Sequence, residues 1–540
     1  MLPGKADYAG LRTSWKGDVI AGMTVGVVAL PLALAFGITA GLGARAGLIT
    51  AIVAGLVAAV FGGSSVQVSG PTGAMTVVLV PVVARFGVDS VFIVGLLAGV
   101  VILAAGVAGF GRYLAFIPWP VIEGFTLGIA VIIFLQQVPA ALGVAKPPGE
   151  NTAVLAARAV GRALAGDGAR WAVGLVAVVV VVMVITPRLH RGLPGSLLAV
   201  VVATVLAAVT GVDVAMIGAL PSSLPMPSLP GFSLDQVSGL FGAVLAVAAL
   251  SALESLLSAK VADGMAGAGR HDPNRELFGQ GLANIVSPLF GGMPATGAIA
   301  RTAVNVKAGA RTRVASVTHA LVLIVIVFAG SGLVAKIPMA ALAGVLMVTA
   351  VRMVEAHNVR TILRVTRSDA LILVVTALVT VAFDLILAVE VGMAAAAVLA
   401  LRQLAQTSTA TMEPLALLDP ETAASLRHDH IVVYRLDGAL FFGAVQRFLS
   451  ELSDVGAVEV IILRLPELQM MDASGAQALG EIIEDLEKRH ITVLLKGPKP
   501  EHLRILHEVG AIGRLAHENH LFGDMSAAID HARAHRRRVA

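Results

Sequence analysis

From Ala46 to Ala84 the chain carries no charged side chain. A spanning helix needs about 20 apolar residues, so this run is long enough for two membrane crossings. Lipid offers no partner to a backbone N–H or C=O, which leaves helices or a closed barrel as the only spanning structures. Yet the run is interrupted by "SGPTGAMT", Ser69 to Thr76, with glycine and proline where an unbroken helix would not place them. A second stretch, "PATGAIA" from Pro294 to Ala300, stands in similar surroundings. Pro71-Thr72-Gly73-Ala74 aligns with Ala295-Thr296-Gly297-Ala298 at a constant offset of 224 residues (295 − 71).

The rest of the chain fits a membrane setting. It has 540 residues, 57% hydrophobic and 14% charged, against about 25% charged in a soluble domain. Charged residues become frequent only after about Leu404, which reads as a membrane domain followed by a soluble one. The expected boundaries are an N-terminal polar segment 1–17, a transmembrane domain 18–403, a linker 404–429 and a soluble domain 430–540. The first 18 residues lack the apolar stretch and cleavage site of a signal peptide. No cysteine is present, which excludes disulfides, thiolate catalysis and cysteine metal sites. No GxxxxGK[ST] loop occurs and no metal-ligand spacing lies in the apolar part. An ATP-driven engine and a metal cofactor are therefore not expected, nor is an enzyme.

Fourteen apolar segments can be read between residues 18 and 403. Those around 47–86 and 276–308 are short and interrupted. With a cytoplasmic N-terminus, the basic residues after the even-numbered segments fall on one side, as the positive-inside rule requires. The loop from Lys146 to Arg170 is the exception. The pI near 9.5 then reflects cytoplasmic loops and not nucleic-acid binding. Fourteen segments with one motif echoed suggest two sets of seven. Seven is odd, so the halves enter the membrane from opposite sides, the inverted repeat of secondary transporters.

The two motifs are read as starts of half-helices near the membrane midplane. A helix start leaves N–H groups without partners, and its positive dipole end suits an anion. Pro71 suits a first helical turn, and Thr72 and Thr296 can cap or contact a ligand. Two packing kinks are the alternative; paired interrupted segments at corresponding places favour the site.

Glu254 follows an apolar stretch from Phe241 to Leu253. Intramembrane carboxylates mark proton relays, ion pathways or paired charges, so Glu254 is a candidate coupling residue, with Ser258 one turn on along the same face. A static ion pair with Arg301 is the other reading, and Arg301 could equally attract the anion. In the soluble part, "IVVYRL", "VEVIILRL" and "TVLLKG" read as strands. "AVQRFLSELSD", "GAQALGEIIEDLEKR" and "EHLRILHEVG" read as helices, giving a small α/β domain. "MMDASGA" joins a strand to a helix, where Asp472 and Ser474 suit a cap; Ser474 is also a candidate regulatory phosphosite. The histidine-rich end reads as a solvated basic terminus.

"GDVIAGMTVGVVALPLALAFG", "SGPTGAMTVV" and above all the stretch from "ESLLSAKVADGMAG" to "ATGAIARTAVNVKAGART" resemble the sulfate permease (SulP) family, the solute carrier 26 anion transporters. "MMDASGA" resembles the STAS domain that usually follows it. The resemblance implies fourteen helices in a 7+7 inverted repeat with core and gate domains, an elevator mechanism, homodimers, and a cytoplasmic STAS domain on a protein of the inner (plasma) membrane. It implies an anion site between the starts of helices three and ten, here Ser69, Thr72, Gly73, Ala295, Thr296, Gly297 and Ala298, with Phe36 from helix one. It places coupling at Glu254 with Ser258, where sodium-coupled bicarbonate transporters use Asp with a Thr one turn on, so H+ is favoured over Na+. The expected function is proton-coupled symport of an inorganic anion, sulfate or bicarbonate. A dicarboxylate/H+ symporter, a sodium-coupled bicarbonate transporter and an uncoupled channel or exchanger are the alternatives. Pro31-Leu32 replaces the Pro-Gln of many sulfate transporters, and "LPLALAF" and "PTGAMTVV" look closer to bicarbonate-type members. A regulatory partner of the STAS domain is possible in this reading, and a nucleic acid is not.

Overall fold

The computed structural model describes residues 2–4, 11–112, 118–148, 151–167, 170–189, 194–218, 223, 225–228, 234–266, 270–383, 385–407, 409–412, 430–441 and 458–539. The chain divides into two compact units, residues 1–393 and 394–540.

The first unit is helical. Its first half holds α1 (Leu11–Thr39), α2 (Gly43–Phe61), α3 (Gly73–Phe86), α4 (Val88–Val107), α5 (Trp119–Ala141), α6 (Thr152–Arg162), α7 (Arg170–Leu189) and α8 (Gly195–Thr210). Its second half holds α9 (Leu234–Ala266), α10 (Pro273–Leu289), α11 (Ile299–Lys307), α12 (Arg313–Val334), α13 (Met339–Met353), α14 (Ala356–Val365), α15 (Arg367–Ala382) and α16 (Leu385–Thr407). The fourteen apolar segments fall on all of these except α6 and α14. Seven described spans are long and apolar enough to cross a membrane, and α3, α8 and the start of α12 are shorter apolar helices. The chain is a multi-pass membrane protein. Trp15, Trp119 and Trp171 are all about half exposed, as residues of an interfacial belt would be.

Helix α6 accounts for the exceptional basic loop. Leu155, Ala156 and Ala159 are buried while Arg158 and Arg162 are exposed. The loop is a short amphipathic helix, a shape suited to lying in the membrane interface. Its start is capped by Asn151, whose Oδ1 accepts from the N–H groups of Ala153 and Val154.

Two packing groups form. Helix α1 packs on α2 and α12, α10 on α2 and α4, and α9 on α4 and α11. Helix α5 packs on α13 and α15, and α7 on α8 and α13. A polar staple ties the first group together. The Asp18 carboxylate accepts from the N–H groups of Arg311 and Thr312 at 2.7 and 3.0 Å, and from the hydroxyls of Thr312 and Ser14.

Between α2 and α3, Ser69–Gly70 forms a short strand, β1, that pairs antiparallel with β2, Thr296–Gly297. Ser69 lies opposite Gly297 and Gly70 opposite Thr296. The two motifs, 224 residues apart in sequence, are thus joined by backbone pairing.

The second unit is an α/β domain. Its strands are β3 (Thr409–Met412), β4 (Ile431–Leu440), β5 (Val460–Arg464), β6 (Leu468–Met471), β7 (Thr492–Lys496) and β8 (Leu521–Phe522). The order is β3-β4-β5-β7-β8 with β6 on β4, all parallel except the β3–β4 pair. Helices α17 (Ala473–Lys488), α18 (Pro500–Glu508) and α19 (Met525–Val539) accompany it. The three expected strands fall on β4, β5 and β7. Strand β3 lies inside the stretch read as a linker, because four residues without alternation give no periodic signal. The expected helix "AVQRFLSELSD" lies outside the described residues. The histidine-rich end differs from expectation: α19 buries Ala528, Ile529 and Ala532 against Ile431, Val433 and Leu494. It is a packed helix, with an apolar stripe at i, i+1 and i+4 hidden among its charges.

Candidate functional site

The site is built on α3, α9 and α11. Helix α3 begins at Gly73 with Thr72 as its cap, φ −126° and ψ 162°. Thr72 Oγ1 accepts from the Met75 N–H, and the Thr72 carbonyl accepts from the Thr76 N–H. Pro71 therefore stands one residue before the cap and not in the first turn. Its carbonyl remains free to accept from elsewhere. Helix α11 begins at Ile299 with Ala298 at the cap, two residues later than strict repetition predicts. In both helices the first-turn N–H groups are those a helix start leaves unpaired.

Glu254 of α9 meets both motifs. Its Oε2 accepts from Thr72 Oγ1 at 2.9 Å and from Thr296 Oγ1 at 2.8 Å. The two hydroxyls are 3.2 Å apart. One carboxylate oxygen is thus held by two residues that the 224-residue offset makes equivalent. A cavity of about 60 Å³ opens beside it, lined among others by Ala74 of α3, Ile299 of α11, Glu254, and Val121, Ile122 and Phe125 of α5. Both short helices reach this cavity with their first residues. A single water needs about 10–15 Å³ measured in this way, so a small polyatomic ion is of the right order.

Phe36 is buried and its ring lies beside Gly73; a methyl on Gly73 would come within 3.3 Å of Phe36 and 2.2 Å of Ile133 on α5. Phe36 and Ile133 therefore close over the start of α3. Ser69 faces away from the cavity: its Oγ accepts from Gln280 Nε2 at 2.6 Å. Ser258 is buried one turn beyond Glu254, with its hydroxyl 3.1 Å from that of Thr302, which itself accepts from the Val68 N–H. Arg301 makes no ion pair with Glu254. Its Nη2 donates to the Pro71 carbonyl at 2.6 Å, so it ties α11 to the entrance of α3. Gly70 stands at φ +153°, a backbone conformation that other residues rarely adopt, and it packs against Arg301 Nη1 and the Ala51 Cα.

The second motif is clamped harder than the first. Asn284 Oδ1 accepts from the Ala295 N–H at 2.8 Å while Asn284 Nδ2 donates to the Ala295 carbonyl at 2.9 Å. Ser251 Oγ donates to the same carbonyl, and Ser255 Oγ accepts from the Gly297 N–H. Ala298 N–H donates to the Val68 carbonyl. Gly297 leaves room for the Gln67 side chain and the Ser255 backbone, both of which a methyl there would meet. Sequence reasoning missed Ser251, Ser255, Asn284 and Gln280. The signal was available: 251, 254, 255 and 258 share one face of α9, and 276, 280, 284 and 287 share one face of α10. Glu276 closes that stripe by accepting from the N–H groups of Gly63 and Ser64. In the second unit, Asp472 caps α17 by accepting from the Gly475 N–H at 2.7 Å, and Ser474 is exposed in its first turn. Among the described residues no cluster could hold a metal.

Two interrupted helices meeting on one intramembrane carboxylate define a membrane carrier and not an enzyme. The comparisons agree and name the class: residues 15–376 match the sulfate permease family and residues 423–528 the STAS domain. The chain belongs to the sulfate permease family. It is 35% identical over 513 residues to YvdB of Bacillus subtilis (strain 168), a protein named for sulfate transport, covering 94% of this chain and 95% of that one. It is 30% identical over 527 residues to the bicarbonate transporter BicA of Picosynechococcus sp. (strain ATCC 27264 / PCC 7002 / PR-6), covering 93% and 92%. Murine Slc26a9 in its inward-facing state shares the fold, with a TM-score of 0.82 over 96% of this chain and 91% of that one at 18% identity.

Proposed function

We propose that the chain is a secondary transporter of a small inorganic anion, sulfate or bicarbonate, coupled to protons through Glu254. The observation that carries this reading is the meeting of Thr72, the cap of α3, and Thr296, two residues before the cap of α11, on the Glu254 carboxylate. Two hydroxyl donors, two sets of first-turn N–H groups and two positive helix ends suit an anion. The ionised carboxylate occupies those hydroxyls. An anion brought to about 4 Å from it is opposed by about 4 kcal/mol at an effective dielectric of 20. Protonation removes the repulsion and frees the threonine hydroxyls, so anion and proton load together.

Helices α1–α4 and α9–α12 carry the site as the mobile core of a 7+7 repeat, and α5 with its partners forms the gate of an elevator. The second unit is placed in the cytoplasm at an inner membrane, and the protein works as a homodimer. H+ is preferred over Na+, because the polar atoms nearest Glu254 are two hydroxyls already engaged with its carboxylate.

The test is uptake of labelled sulfate and labelled bicarbonate into proteoliposomes under an inward proton gradient. Uptake of one of them that follows the gradient and is lost in Glu254→Gln is expected. Uptake indifferent to both gradient and substitution contradicts the coupling role and favours a channel or exchanger.

A further inference from the structure

A second buried group near the site has no assigned work. His319 lies in the second turn of α12, 1% exposed, and neither of its ring nitrogens has a hydrogen-bond partner. Arg301 Nη1, 2% exposed as a residue, is also without a partner. The two side chains flank the same two residues of β1. A methyl on Gly55 would lie 3.2 Å from the Ser69 carbonyl oxygen and 3.9 Å from the His319 ring. A methyl on Gly70 would lie 2.7 Å from Arg301 Nη1.

Among the described residues, the other buried ionisable groups of this unit have partners. Asp18 accepts from four donors, Glu276 from Gly63, Ser64 and Gln280, and Arg313 donates to the Ala59 carbonyl. Of the elements packed against α12, α1 brings Lys16 and Asp18, both at its start near Thr312, and α2 brings Arg45, which is exposed. Arg301 of α11 is the charged group that stands with His319 around β1. An unpartnered buried polar group is costly, and one that can gain a proton is a place for charge to go.

Charge arithmetic gives it a use. In the empty site Glu254 is negative, Arg301 positive and His319 neutral, which sums to zero. With Glu254 protonated, a monovalent anion balances Arg301 and the sum is again zero. A divalent anion leaves one negative charge in a buried place, where net charge is costly. One proton on His319 restores neutrality. We propose that His319 is a second proton-binding residue of the transport cycle, loaded when a divalent anion occupies the Thr72–Thr296 site. This rests on the coupling role given to Glu254 and adds the device that adapts one site to two anion charges. The proton enters on a ring nitrogen, no covalent bond to the anion forms, and release reverses the step.

The experiment measures sulfate accumulation by the full chain in proteoliposomes at stepped pH gradients, with membrane voltage clamped to zero. Each pH unit contributes about 1.36 kcal/mol per proton. Two coupled protons give about 100-fold accumulation per unit, and one gives about tenfold. The wild type is expected to show the steeper dependence for sulfate. His319→Gln is expected to show the shallower one and, moving net charge with each sulfate, to build up a membrane voltage when the clamp is released. A shallow wild-type dependence, or no sulfate uptake by folded wild type, overturns the proposal without any variant. A steep dependence unchanged in transporting His319→Gln and His319→Asn also overturns it. These results leave the Glu254 reading standing; only accumulation indifferent to the gradient removes both.

Discussion

Thr72 and Thr296 are the residues on which the account turns. Each donates to Glu254 Oε2, and the hydroxyls are 3.2 Å apart. A hydrogen bond to a charged group contributes about 1.5–3 kcal/mol, which corresponds to roughly 10- to 150-fold in affinity. Thr72→Val and Thr296→Val should therefore each weaken anion binding by at least about tenfold at the acidic end of the pH range. The double variant should lose less than the sum of the single ones, since groups in one network couple. Calorimetric titration of all four proteins closes the cycle. Strict additivity would place the two hydroxyls on separate sites. Residue identity was legible here because threonine beside glycine in an apolar run has few structural excuses. The direction of each side chain was not. Ser69 looked like its neighbours in sequence, yet β1 pairing turns its hydroxyl to Gln280. Arg301 could be read as a partner of Glu254 or of an anion, whereas its Nη2 donates to a backbone carbonyl exposed by the chain's turn at Pro71.

At the scale of elements, the polar stripe of α10 fixes β2. Asn284 satisfies both backbone groups of Ala295, and lipid-depth backbone has no water to replace it. Asn284→Leu should leave the Ala295 N–H unpaired, at about 1–3 kcal/mol, and the Ala295 carbonyl with Ser251 as its remaining donor, lowering the thermal midpoint of the detergent-solubilised protein and abolishing uptake. An unchanged midpoint would mean that β2 is held elsewhere. The second unit carries a separate prediction. His520 is buried, and burial first, then the imidazoles of His531, His517 and His535, pushes its pKa down from 6.5 to about 4. His531 and His517 lie with ring centroids 5.3 and 5.6 Å away. The unfolded chain then binds the proton more readily than the folded one. Stability is full above about pH 6.5 and falls as pH drops toward 4. Hydrogen exchange around β7, β8 and α19 should accelerate across that window, and His520→Gln should flatten the change. The helices α17 and α18 were visible as amphipathic patterns, whereas α19 was masked by its arginines and histidines. Helices α6 and α14 were missed for a similar reason: each is short, and its apolar face is only a few residues wide.

For the whole molecule, the offset of 224 residues was the most informative signal in the chain. It implied two related halves, and the structure brings the two motifs into one strand pair and onto one carboxylate. The fourteen apolar segments all fall on helices. What composition could not supply was contact across the halves: Gln280 to Ser69, Asp18 to Thr312 and Val68 to Thr302 depend on which helix faces meet. The central claim is that an anion and an ionised Glu254 compete for the same two hydroxyls. The most direct measurement is the affinity for sulfate and for bicarbonate as a function of pH, in the wild type and in Glu254→Gln. In the wild type, binding of the transported anion should strengthen as pH falls. In the variant it should be comparatively strong and nearly independent of pH. The same pH dependence in both proteins would contradict the claim.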